Sequence, residues 1–146
     1  MAARIESAVM IARPVEEVFA FLTDLERSAK VDPTVESVEK TSEGPIGVGT
    51  TFRLRQHALG RSSDATVAFT GLERNRRVDF ESRVGPLRPR MSMTFEEVEG
   101  GTRVTVTGEP NPAGIFKLLS GRFRRIGQRI WDERLERQKA ALEGTG

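Results

Sequence analysis

The stretch that most constrains this chain lies near its end, from Asn111 to about Gly144. Asn111 suits a helix cap, and Pro112 is pre-set for the first helical position. Apolar residues then recur at Phe116, Leu119, Phe123, Ile126 and Ile130, in steps of three and four that draw one stripe along a helix. Trp131, Leu135 and Leu142 continue it with some drift, while Arg122, Arg124, Arg125, Arg129, Glu133, Arg134, Glu136 and Arg137 mostly cover other faces. Gly144 stands where a helix often stops. A helix of roughly 30 residues is about 45 Å long. A stripe of that length needs a partner surface, because a helix in water owes most of its stability to packing.

The preceding residues supply the partner. Arg4 to Ile11 alternate as a strand. Arg13-Pro14 stops it, and Val15 to Leu22 reads as a short helix with Pro14 at its first position and Val15, Val18, Phe19 and Leu22 on one face. A second short helix runs from about Leu25 to Val31, ended by Asp32-Pro33. Strands follow over Thr34–Thr41, Thr50–Gln56, Ala65–Leu72, Val78–Val84, Arg90–Val98 and Thr102–Glu109, the last two joined by a tight turn at Gly100-Gly101. One strand, two short helices, six strands and one long helix argue an α+β fold with an antiparallel sheet. We read residues 1–146 as a single domain.

Strand parity sorts the side chains onto two faces. One face collects Phe52, Leu54, Val67, Phe69, Val78, Phe80, Met91, Met93, Phe95, Val104 and Val106; the other carries Arg53, Arg55, His57, Asp79, Glu81, Arg83, Glu96 and a row of threonines. The sheet is therefore dry on one side and wet on the other. A curved sheet over one helix tends to leave a gap near one helix end. Phe52, Leu54, Val67, Phe69, Phe80, Met91, Met93 and Phe95 from the sheet, with Phe116, Leu119 and Phe123 from the helix, are the residues that would line it. Gln56, Ser82 and Ser7 alone interrupt the apolar set, which makes them candidates for orienting a ligand by hydrogen bonds. The same residue types fill a solid core equally well.

Other patterns carry less chemistry. The chain has no cysteine, so disulfides, thiolate catalysis and cysteine-ligated metals are excluded. His57 is the only histidine, without an evident metal partner or nucleophile, and its parity puts it on the wet face. We expect no metal and no cofactor. Gly44, Gly47 and Gly49 precede a strand, not a helix, and lack the lysine of a phosphate loop. Asp79 and Glu81 share the wet face with Arg83, which points to ion pairing across strands. Gly121 and Gly127 inside the long helix mark a kink or a close approach. Net charge is only +2, so no nucleic acid is expected as a partner. No run is long and apolar enough for a membrane span, and the first residues lack a signal-peptide core; cytoplasmic residence, as monomer or homodimer, is the expectation.

Ile11-Ala12-Arg13-Pro14-Val15-Glu16-Glu17-Val18-Phe19-Ala20-Phe21-Leu22-Thr23-Asp24 resembles the first strand-to-helix junction of the START and pollen-allergen-like (SRPBCC) superfamily, in its bacterial polyketide cyclase/dehydrase-like branch. Gly47-Val48-Gly49-Thr50-Thr51-Phe52, the strand entry Gly101-Thr102-Arg103-Val104 and the closing helix recur in the expected order. The resemblance implies a helix-grip fold, in which a seven-stranded antiparallel sheet grips the C-terminal helix around an apolar cavity. It also implies a small hydrophobic ligand: a lipid, sterol, polyketide or quinone. Some members are aromatases, cyclases or dehydratases and others only carry ligands. No invariant catalytic motif comes with the family, so no catalytic residue is assigned. An enzyme acting on such a ligand, or an interaction protein with a filled core, are the alternatives.

Overall fold

The computed structural model describes residues 4–58, 60–85, 87–109 and 120–144. Strand β1 (Ile5–Ile11) is followed by helix α1 (Val15–Thr23), helix α2 (Leu25–Ser28) and a 3-10 turn over Ala29–Val31. Six strands then run in succession: β2 (Val35–Lys40), β3 (Thr51–Ala58), β4 (Arg61–Glu73), β5 (Arg77–Val84), β6 (Arg90–Val98) and β7 (Gly101–Glu109). Helix α3 (Ser120–Gly144) closes the described chain. All seven strands form one antiparallel sheet in the order β1-β7-β6-β5-β4-β3-β2. Sheet, long helix and two short helices between β1 and β2 make this a helix-grip fold.

The expected faces hold. Phe52, Leu54, Phe69, Val78, Phe80, Met91, Met93, Phe95, Val104 and Val106 are all buried in one core with Val15, Val18, Phe19 and Leu22 of α1. On the other face, Glu81 pairs with Arg90 across the strands at 3.4 Å, and Glu96 with Arg103 at 3.0 Å. Asp79 pairs at 2.8 Å with Arg77, two residues along its own strand, and neither carboxylate takes Arg83. Both Arg77 and Asp79 lie on the same side of β5 by strand parity, which puts them within reach.

Local details depart from the sequence reading. Pro14 caps α1 from outside instead of opening it, with φ −61° and ψ 149°. The β6–β7 turn places Glu99 and Gly100 at its tip, because Gly101 is already paired with Val98. Gly100 takes φ 85°, a conformation that glycine adopts freely. The expected start of the long helix, Asn111 to Leu119, lies outside the described residues.

The buried stripe of α3 follows the expected one at Trp131, Leu135 and Leu142 but not at Ile126 and Ile130. Leu135 and Leu142 are buried, but Ile126 and Ile130 are 42% and 41% exposed. The packed line runs instead through Gly127, Trp131, Leu135, Gln138 and Leu142, in steps of four, four, three and four. The reason is the approach at Gly127, where an added Cβ would stand 2.5 Å from Ile5 Cδ1. That contact turns the Ile126–Ile130 line off the sheet. Gly121 has no such neighbour among the described residues.

A second, polar line on α3 clamps the edge strand β1. The Glu6 amide donates to Gln128 Oε1 at 3.0 Å, while Gln128 Nε2 donates to the Glu6 carbonyl. Ser7 donates to Asp132 at 2.5 Å, Lys139 to the Met10 carbonyl at 2.7 Å, and the Ala12 amide to Glu143 at 2.8 Å. Gln128, Lys139 and Glu143 thereby satisfy backbone groups that an edge strand would otherwise offer to another chain. Arg13 finishes the clamp by donating to the last carbonyls of α3, Leu142 at 3.1 Å and Glu143 at 3.2 Å. A cation there also complements the negative helix end.

Candidate functional site

Between the dry face and α3 the packing opens into two chambers. The outer one holds about 240 Å³ and the inner one about 90 Å³. Leu54, Val67, Phe80, Ser82, Trp131 and Arg134 line both, so the chambers share a wall. Small-molecule pockets run from about 300 Å³ upward. That size is reached only by counting the chambers as one.

The sheet residues expected at a cavity divide into three groups. Leu54, Val67, Phe80 and Ser82 border both chambers. Gln56 and Met91 border the outer one, and Phe69 and Met93 the inner one. Phe52 and Phe95 border neither. The Phe52 ring lies 5.5 Å from Phe69, and Phe95 stands edge-on to Phe19 of α1 at 5.0 Å. Aromatic partners hold both rings in the solid part of the core. Phe116, Leu119 and the side chain of Phe123 lie outside the described residues. Ser7 does not reach a chamber, since its hydroxyl is engaged by Asp132.

The helical side of the cavity was harder to foresee. Trp131 faces Phe80 at 5.9 Å, and the Arg134 guanidinium lies 4.8 Å over the Trp131 ring. Ile126 and Ile130, off the sheet, border the outer chamber instead. Gln138 borders the inner chamber and is 5% exposed. Its Oε1 has no hydrogen-bond partner among the described residues.

A charged cluster closes the rim. Asp32, which ends the 3-10 turn, is 3% exposed. Its carboxylate accepts from the Thr34 amide at 2.9 Å and the Thr34 hydroxyl at 2.7 Å. Arg134 donates to it at 3.4 Å, and Arg137 stands 3.6 Å away. Burial pushes the Asp32 carboxyl up, but the Thr34 hydrogen bonds and Arg134 outweigh it and hold the group below the usual aspartate range. Burial likewise pulls Arg134 down, and Asp32 opposes the shift; an arginine remains charged at neutral pH regardless. His57 touches the outer chamber only at its edge. It stays on the wet face, paired with Ser62 across β3–β4, with Nδ1 3.9 Å from Glu36. Among the described residues there is no cluster of three or more His, Cys, Asp or Glu that could hold a metal ion.

The fold agrees with the comparisons to known proteins. The family described as polyketide cyclase / dehydrase and lipid transport matches residues 2–143. This chain belongs to that family. Among solved structures, TTHA0849 from Thermus thermophilus is similar at 22% identity and TM-score 0.82, over 98% of this chain and 99% of that one. Ara h 8.0201 is similar at 16% identity and TM-score 0.80, over 99% of both. The di-domain ARO/CYC StfQ from the steffimycin biosynthetic pathway gives 14% identity and TM-score 0.79 over 99% of this chain and 52% of its own length. At these identities the likeness is one of fold. Among curated protein sequences there is no significant match.

Proposed function

We propose that this member of the family binds a small hydrophobic ligand, lipid-, polyketide- or aromatic-like, in the two chambers between the sheet and α3. The observation that supports it is their common wall of Leu54, Val67, Phe80 and Trp131, apolar side chains that border a void. Burial of ligand surface there contributes about 25 cal/mol per Å². We place the protein as a single domain over residues 1–146, a bacterial cytoplasmic carrier of lipid-like cargo, monomeric or homodimeric, without cofactor or nucleic acid. No helix among the described residues is long and apolar enough to cross a membrane.

Titration with N-phenyl-1-naphthylamine, a neutral fluorescent probe, tests the binding. Its affinity should survive transfer to about 1 M salt, where ionic contacts are screened, and should vanish in Val67→Trp, which fills the shared wall. Loss of binding in salt, or unchanged binding in the variant, would overturn the proposal. Native mass spectrometry of protein from its own host then identifies the ligand.

Asp32 favours a second reading, a cyclase or dehydratase acting on such a ligand. It is a buried carboxylate beside two arginines at the chamber rim. Held ionised, it serves as a base or an orienting charge, not as a proton donor. Turnover of a linear polyketide that Asp32→Asn abolishes would establish this reading. The interaction-protein alternative requires a filled core, which the chambers do not favour.

A further inference from the structure

Arg134 is the one charged side chain among the described residues that borders both chambers. Its guanidinium lies over the Trp131 ring and turns Nε to Asp32. Nη1 and Nη2 have no hydrogen-bond partner among the described residues. Neither is sealed off: among those residues, Gln138 Oε1 is the one unpaired polar side-chain atom without accessible surface on a residue that is at least partly buried. Trp131 on one side of the guanidinium and Asp32 on the other both border the outer chamber, so the two free nitrogens stand at its rim.

The ion pairs around Arg134 leave one positive charge over. Arg129 stands 3.3 Å from Glu133, and Glu133 stands 4.0 Å from Arg137. Arg137 and Arg134 then share Asp32, at 3.6 Å and 3.4 Å. Three cations and two carboxylates give the chain a charge of +1. Arg129 answers Glu133 from the exposed end, so the excess falls to the two arginines at the rim. Asp32 holds them loosely, because its Oδ1 already accepts from the Thr34 amide and hydroxyl.

We infer that Arg134 reads the charge of the ligand, and that the ligand is a hydrophobic carboxylic acid bound as its carboxylate. The inference rests on the cavity-binding reading and narrows it. A planar guanidinium with both Nη atoms free matches the two oxygens of a carboxylate, and a monoanion balances a charge of +1. Held there, the acid lays its apolar body along Trp131 and Phe80, the wall common to both chambers.

Competition with N-phenyl-1-naphthylamine tests it, because a ligand must enter the chambers to displace that neutral probe. Three naphthalenes of similar size serve as competitors: 2-naphthoate, which is charged; 2-naphthamide, its neutral isostere; and 2-isopropylnaphthalene, which has no polar group. With the wild-type protein, 2-naphthoate should compete about tenfold more tightly than either neutral compound, the ratio a charge-assisted hydrogen bond supplies. That ratio should shrink in about 1 M salt. In Arg134→Met it should fall to about one. Arg134→Lys, which keeps the charge without the fork, should fall between the two, and it decides the matter if Arg134→Met does not fold. If N-phenyl-1-naphthylamine itself does not bind, the cavity reading fails and this inference with it. If it binds and 2-naphthoate displaces it no better than 2-naphthamide, this inference alone is overturned. A wild-type ratio retained in a folded Arg134 variant places the reader of the charge elsewhere and also overturns it. So does 2-naphthyl phosphate competing more tightly than 2-naphthoate, which would make the ligand a phosphate.

Discussion

The two halves of α3 lie over one sheet and behave differently. Beyond Asp132 the helix is clamped: Leu135 is 1% exposed, Leu142 4%, and Lys139, Glu143 and Arg13 tie its last turns to β1 and the start of α1. Before Asp132, among the described residues, only Gly127 and Gln128 meet β1, while Ile126 and Ile130 are about two-fifths exposed and border the outer chamber. One difference is what lies opposite. Helix α1 adds Val15, Val18, Phe19 and Leu22 to the core, whereas the outer chamber is bordered by strand residues and the Asp32–Thr34 rim. A helix packed along its whole length would make the fold more stable and leave no room for a guest. Stability is concentrated at one end, and space is kept at the other.

The sharpest way to break that comparison is to cut into the clamped half. Leu135→Ala should cost about 3–4 kcal/mol in urea unfolding, since it empties a site with no solvent access. A loss below about 1 kcal/mol would mean that the clamp is not where the stability resides.

The next largest effect belongs to the rim. Asp32→Asn should cost about 2–3 kcal/mol near neutral pH, because it leaves Arg134, a partly buried cation, without its counter-charge. The sign with pH follows from a carboxyl held low in the folded state. Its contribution is complete above the ordinary aspartate pKa of about 3.9 and is lost as pH falls through the lower folded value. The gap between wild type and Asp32→Asn should thus be level from pH 8 to about 5 and close in stronger acid. A gap as wide at about pH 2 as at pH 7 would show that the ionised carboxylate is not its source.

The sheet was legible because strand parity is a strict rule: once Phe52, Leu54, Phe69 and Phe80 share a face, their burial follows. The helix was less so. A period of 3.6 fixes a stripe but not which of two neighbouring lines meets the sheet, and the choice between Ile126–Ile130 and Trp131–Leu135 was made by the close contact of Gly127 with Ile5. No local pattern encodes a contact across so many residues. Arg134 was grouped with the charges that cover other faces of the helix; Asp32, distant in sequence, draws it to the rim. Gln138 did carry a signal. It lies three residues after Leu135 and four before Leu142, a polar residue at an apolar position, and the helical spacing alone could have found it.

The smallest effect on stability tests the open half. Ile130 is 41% exposed and borders the outer chamber. Truncation to alanine removes surface that water already reaches in part, so Ile130→Ala should cost less than about 1 kcal/mol, well under half the Leu135→Ala loss. The same truncation takes apolar surface from the chamber mouth, and N-phenyl-1-naphthylamine should bind about two- to fivefold more weakly. Binding and stability thus separate at Ile130 and not at Leu135, where a cavity costs stability first. If Ile130→Ala unfolds as readily as Leu135→Ala, the first half of α3 is packed as firmly as the second, and the division of labour along the helix is gone.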